Sequence, residues 1–445
     1  METLLVLLIA AFCTVLPFLI GQRYGVIGLA SPMHVLAYFC GFGFLAKAVA
    51  YTILPDLAFY PAHTESPWAL LAGALYLSCF ILLMCFGYLA AARPFPKASA
   101  VRANRCVARH FTGLWMLTCL ACAVAVLTLG QPLAARGITG VSLDALRALN
   151  SAKQIDVNAA GVGATLAGLK TLFILPKLAF AIVFARATVL KEPTTIALAL
   201  FLAMVLVGIA LVSGDRFELV ELMLITAATH ALFGGHLRRS AVLWGGFGFA
   251  VLCAISAYMT ALRGSDGALW QQIVGSTYFL DINIAAIVTD RVAPAMYLGG
   301  ESYGWWTFGW VPRAIWPDKP AIDLGVMLKR DVLGIPTGGA FNVTGPGEAF
   351  LNFGWAGVCV GFLLGWIYRK AEVFLLRPVG AMQGARAIYY PLILLPFVQG
   401  SLQSSFSAFV VGAVAQAAVI LAVLWVWAPR FVPVRRPVQG IAHAS

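Results

Sequence analysis

Arginines set in polar segments between long apolar runs carry the first chemical signal of this sequence. A guanidinium stays charged and grips phosphate oxygens in pairs, so it suits a lipid diphosphate at a membrane surface. Arg136 and Arg147 share the segment RGITGVSLDALRALN, where Ser142 could cap a short helix carrying Arg147. Arg216 opens a helix in SGDRFELVEL. Its ordinary role would be pairing with Asp215, Glu218 or Glu221 on neighbouring turns, and its sharper one contact with a ligand. Arg263, Arg313, Lys319 and Arg330 complete the candidate anion-binding set.

In VPRAIWPDKP, Pro312, Pro317 and Pro320 stiffen the backbone, so that Arg313, Asp318 and Lys319 project from a rigid, non-helical path. Trp305, Trp306, Trp310 and Trp316 read either as an interfacial aromatic belt or as rings that stack on sugars. Glu348 ends TGPGE and opens a helix, where the helix dipole stabilises a carboxylate. It is either a cap or the general base for a sugar hydroxyl, with Asp281 and Asp323 as substitutes. Lys170 and Lys177 lie seven residues apart on one face of an apolar span. Charges at such depth are costly and functional by default. Lys170 can snorkel, whereas Lys177, beside Pro176, calls for a buried partner or the wall of a polar cavity.

The elements that position these residues are membrane helices. The chain has 445 residues, 61% hydrophobic and 11% charged, against about 25% charge in a soluble domain. Apolar runs of spanning length recur along it, about eleven in number. They cover 4–20, 35–54, 69–91, 114–129, 162–183, 196–212, 219–233, 241–260, 351–367, 390–399 with its flanks, and 408–427. The first lacks a basic leader and a small-residue cleavage site, so it reads as a retained helix. The expected fold is an all-α polytopic membrane protein with a large outer loop region carrying short interfacial or re-entrant helices.

Basic residues orient the spans. Segment 92–110 carries Arg93, Lys97, Arg102, Arg105 and Arg109 and no acid, which assigns it to the cytoplasm. Counting from there, the clusters at 186–191, 238–239, 369–386 and 430–436 also fall inside, with the C-terminus inside and the N-terminus outside. Glu192 and Glu372 are the acids placed in the cytoplasm, while segments 131–158, 213–216 and 262–348 fall outside. The chain divides into an N-terminal four-helix membrane region (1–130), a membrane region with the arginine-bearing outer loop and turn (131–261), an outer loop region (262–348), and C-terminal helices with a basic tail (349–445). Within the outer region, 268–290 is apolar but interrupted by Gln271, Gln272, Asp281, Asn283 and Asp290. That pattern suits a helix lying at the interface, a re-entrant helix or a spanning pair.

Several functions are disfavoured. The nine cysteines fall in predicted spans or, for Cys106, in a basic inner segment, which makes them packing residues without disulfide or metal-ligand spacing. The net charge of +12 reflects inner loops and not nucleic-acid binding. No Ser-His-Asp set, zinc-type histidine pair, Walker loop or dinucleotide fingerprint is present, and the outer regions hold only His63. Neither a cofactor nor a metal is implied.

Taken in order, these residues resemble the oligosaccharide repeat-unit polymerases, the Wzy-type O-antigen and exopolysaccharide polymerases of bacteria. The resemblance covers about the C-terminal two-thirds, from RGITGVSLDALRALN through LVSGDRFELVEL. It is most specific at GGESYGWWTFGWVPRAIWPDKPAIDLG and FNVTGPGEAFLNFGWAGVCVGFLLG. It implies an enzyme that joins undecaprenyl-diphosphate-linked oligosaccharides, as donor and acceptor, on the periplasmic side of the inner membrane, with the lipid bilayer and a chain-length regulator protein as further partners. The family's outer-loop arginines map onto Arg136, Arg147, Arg216 and Arg313; here Asp215 replaces a small residue beside Arg216. Fixed guanidinium groups would stabilise the departing diphosphate, which needs no proton, so one carboxylate base suffices.

Three other readings stand beside it. An O-antigen ligase would be expected to carry a histidine in its large outer loop, and 262–348 has none. A flippase or transporter would show repeated halves and charges along a transmembrane path, and Lys170, Lys177 and His230 are the charges read inside spans. Composition alone also allows a purely structural membrane protein.

Overall fold

The computed structural model describes residues 2–92, 106–108, 111–134, 174–213, 217–234, 279–311, 315–316, 324–335, 341–377, 387–427 and 431–433. Among them, six helical stretches are long and apolar enough to cross a membrane: Glu2–Tyr24, Pro32–Ile53, Ala69–Ala90, Pro193–Ala210, Gly345–Leu376 and Phe406–Trp425. Large apolar side chains cover their outer faces, with Leu8 60%, Met204 66% and Trp425 76% exposed. Water does not tolerate such surface and lipid does, so the fold is that of a helical membrane protein.

The helices are α1 (Glu2–Tyr24), α2 (Pro32–Cys40), α3 (Ala46–Ile53), α4 (Ala69–Ala90), α5 (Phe111–Ala134), α6 (Ile174–Leu190), α7 (Pro193–Ser213), α8 (Phe217–Phe233), α9 (Ile282–Arg291), α10 (Gly345–Phe353), α11 (Val358–Leu376), α12 (Leu395–Gln403) and α13 (Phe406–Trp427). A π-helical turn, Gly41–Leu45, joins α2 to α3, and another, Tyr390–Leu394, leads into α12. The expected spans at 4–20, 35–54 and 69–91 are α1, α2–α3 and α4. The expected span at 241–260 and the first half of that at 162–183 lie outside the described residues.

One glycine series fixes the central helix pair. Gly361 and Gly365 of α11 lie against the carbonyl oxygens of Phe80 and Met84 of α4, and Gly87 lies against that of Phe362. A Cβ at any of these positions would collide with backbone, so the small-xxx-small spacing brings the two helices together. The Phe80–Gly361 and Met84–Gly365 contacts rise together in number, so α4 and α11 run parallel and end on one face.

A second contact places the C-terminal segment on that face. Strand β1 (Cys106–Ala108), between α4 and α5, pairs antiparallel with β2 (Phe431–Pro433), after α13. This three-residue ladder is the one departure from an all-helical fold among the described residues.

Towards the opposite face a short helix is buried within the bundle. The backbone of Leu280 lies against Gly43 in the π-helical turn, and Ala285 and Ala286 of α9 lie against Gly73 of α4. Ile282 to Val288 are buried throughout. Of the arrangements open for 268–290, the described part is therefore a short helix wedged into the bundle and not one lying on its surface. It surfaces at Asp290, whose carboxylate accepts the Glu65 and Ser66 backbone N–H groups at 2.6 and 3.1 Å.

Candidate functional site

The junction at the start of α10 joins three segments distant in sequence. Thr344 caps α10 by accepting from Gly347 N, and Pro346 occupies its first turn. This setting carries Glu348 into the interior, where it is 1% exposed. One carboxylate oxygen accepts from Ser302 Oγ at 2.7 Å and the other from the Phe406 backbone N–H at the start of α13. Asn352, one turn on, donates to Ser302 Oγ at 2.7 Å and accepts from Gly300 N at 2.9 Å. Ser407 donates to the Ser302 carbonyl and accepts from Trp306 N.

The network ties the tryptophan segment to α10 and α13. Gly299 and Gly300, with φ of +59° and +97°, provide the left-handed turn that starts this segment. Beyond it, Trp306, Trp310 and Trp316 are 37%, 41% and 40% exposed, whereas Trp305 is half-buried and donates to Glu301. Burial and the nearby Glu348 carboxylate push the Tyr303 hydroxyl well above its ordinary pKa. Glu348 is thus a sealed anchor in this structure, with neither oxygen directed to an open surface. A buried carboxylate without a cation depends on such donors, and none of the described basic residues pairs with it.

Asp281 is sealed as well. It caps α9 through Asn283 N at 2.9 Å and forms an ion pair with Lys47 at 2.8 Å, with the two side chains 0% and 1% exposed. Its Oδ1 also accepts from Asn283 Nδ2 at 3.0 Å, and the same amide donates to the Tyr51 hydroxyl. Its other oxygen has no hydrogen-bond partner. The sequence signal for this pair is Lys47 itself, a lone lysine within the apolar run 35–54.

Two further charge clusters stabilise the bundle. Lys177 finds the buried partner its position demanded, bridging α6 to Glu218 and Glu221 of α8 at 2.7 and 2.6 Å. At the basic face, Glu372 is fully buried. It accepts from Arg369 at 2.8 Å and from Val26 N at 3.1 Å, and Tyr88 donates to it. α11 continues to Leu376 and keeps Glu372 inside the packing.

Of the candidate anion-binding residues, Arg136, Arg147, Arg216, Arg263, Arg313 and Lys319 lie outside the described residues, as does Asp323. Arg330 is exposed and bonded to its neighbour Asp331 at 2.6 Å, a contact that holds the Asp331 carboxyl below its ordinary pKa. Among the described residues no three His, Cys, Asp or Glu side chains converge as a metal site would require. No protein-family model, curated protein or solved structure matches the chain significantly.

Proposed function

We propose that the protein is a membrane glycosyltransferase that polymerises undecaprenyl-diphosphate-linked oligosaccharide repeat units into a bacterial surface polysaccharide. In this reading the chain crosses the inner membrane in about eleven spans, its C-terminus is cytoplasmic, and transfer occurs at the periplasmic face. The carrying observation is the junction at Glu348, which fixes the tryptophan segment beside the ends of two membrane helices.

In the proposed step an acceptor sugar hydroxyl attacks the anomeric carbon of the donor. The new C–O bond forms as the bond to the diphosphate breaks, and the electron pair leaves with the lipid diphosphate. Arg136, Arg147, Arg216, Arg263, Arg313, Lys319 and Arg330 are the cations assigned to that leaving group, and Trp305, Trp306 and Trp316 the rings assigned to the glycan. Glu348 and Asp281 are committed to internal hydrogen bonds, so they act as positioning residues. Asp323, between the Trp-Pro-Asp-Lys-Pro run and α10, takes the hydroxyl proton.

The decisive experiment supplies a lipid-linked repeat unit to the purified protein in liposomes and resolves the products by size. A ladder is expected, Asp323→Asn should abolish it, and Arg313→Ala should slow it by on the order of a hundredfold. An unchanged ladder in both variants would refute the assigned chemistry.

A second reading, transport of a lipid-linked oligosaccharide, is favoured by one observation: α9 begins inside the bundle at a buried Lys47–Asp281 pair. Discontinuous helices with intramembrane charge mark transporter sites. Movement of the lipid across liposomes without glycan joining would select it.

A further inference from the structure

α12 ends within the polar run QGSLQSSFS, residues 399–407 of an otherwise apolar region. Three of its sides are occupied. The Ser401 carbonyl lies against Gly345 at the start of α10, and the Ser401 hydroxyl bonds Tyr368 of α11. Gly400 meets the Phe409 ring of α13. Val398 and Leu402 are fully buried on a third side.

Gln399 and Gln403 are four residues apart, so they share a stripe, and helical geometry turns that stripe away from Ser401. Gln399 is 5% exposed. The amide oxygens of both residues are buried without a hydrogen-bond partner. Native proteins seldom leave such groups unpaired in the interior, and a pair on one stripe calls for a partner that the described residues do not supply.

α8 packs against α12 and carries a third buried atom of this kind, Thr229 Oγ1, nearer its other end. The two helices run in opposite directions. α8 begins beside Lys177 at the start of α6, whereas α12 ends beside the start of α10. Gln399 and Gln403 therefore lie towards the end of the bundle where Lys177 meets Glu218 and Glu221. Those carboxylates retain 22% and 14% exposure.

We infer that this half of the α8–α12 interface is a saccharide-binding site, in which the Gln399 and Gln403 amides hydrogen-bond the hydroxyls of the lipid-linked glycan. The inference rests on the proposed function for the identity of the lipid. The chemistry of the site stands apart from it. An amide offers two donors and an acceptor and carries no charge, which matches neighbouring sugar hydroxyls and gives nothing specific to a diphosphate. Neutral amides also discriminate: a ligand without hydroxyls leaves them unpaired.

The test uses the full chain in nanodiscs and three probes: a polyprenyl diphosphate bearing an oligosaccharide, the same lipid without sugar, and the free oligosaccharide. The wild type should bind the glycan-bearing lipid more tightly than the bare one. Gln399→Leu/Gln403→Leu should weaken binding of the glycan-bearing lipid by about tenfold, leave the bare lipid unaffected, and melt at the same temperature or higher. Removing an unpaired buried group relieves the fold, so that combination separates a ligand site from a structural one.

Equal affinity of the wild type for both lipids would overturn the inference. So would undiminished glycan binding by the variant, or a lower melting temperature with both lipids weakened together. Failure of the wild type to bind either lipid would refute the proposed function. Free oligosaccharide would then decide the amides, supporting the site if it binds the wild type but not the variant and overturning it otherwise.

Discussion

Lys47 and Asp281 show what an ionisable pair contributes at membrane depth. Removing one partner strands the other charge, at about 3–5 kcal/mol, whereas removing both charges costs far less. Lys47→Met should therefore lower the temperature at which half the protein stays monodisperse by more than Lys47→Met/Asp281→Asn does. Equal losses would show that Asp281 matters only as the cap of α9. Sequence reading reached some of this scale and missed the rest for a definable reason. Lys177 announced a buried partner because charge in an apolar span must be compensated, and Glu218 and Glu221 supply it. Glu348 announced a helix start through TGPGE, but its partner Ser302 lies 46 residues away and the Phe406 N–H 58 away. No local pattern encodes a contact made by three segments meeting at the end of a bundle.

Among elements, the α4–α11 pair and the tryptophan segment make opposite demands. The helix pair depends on missing side chains: Gly365→Leu would drive a side chain into the Met84 carbonyl, and the protein should fail to accumulate as a monodisperse species. Gly412, where an added Cβ meets nothing within 4 Å, should accept Ala with little change. Similar behaviour of the two variants would count against close packing of α4 on α11. The tryptophan segment depends on hydroxyl and amide groups. Ser302→Ala/Asn352→Ala should speed hydrogen exchange in 299–311 while α11 keeps its protection. A uniform rise across the bundle would mean that the junction belongs to the global core. Six of the spans were legible because run length and composition suffice to mark them. Their facing was not, because a helix that is apolar on every side has no period to read. Glycine spacing was the surviving signal, and it lies in GVCVGFLLG.

At the scale of the molecule, the proposed function depends on which helix ends share a face. Basic segments placed 92–110 and 430–436 together from charge alone, and the β1–β2 ladder joins them physically, with Cys106 opposite Pro433. Opposed residues in a ladder point to one side and the next residue along points to the other. With the other native cysteines replaced, Pro433→Cys should therefore cross-link to Cys106 on oxidation, whereas Val432→Cys should not. The same background tests orientation. In cells with an intact inner membrane but a permeabilised outer one, an impermeant maleimide should label Trp310→Cys in the exposed tryptophan segment and leave Cys106 unlabelled until the inner membrane is opened. Labelling of Cys106 first would invert the protein. It would put the tryptophan segment and Glu348 in the cytoplasm and remove the periplasmic glycan reaction, while leaving every helix contact unchanged.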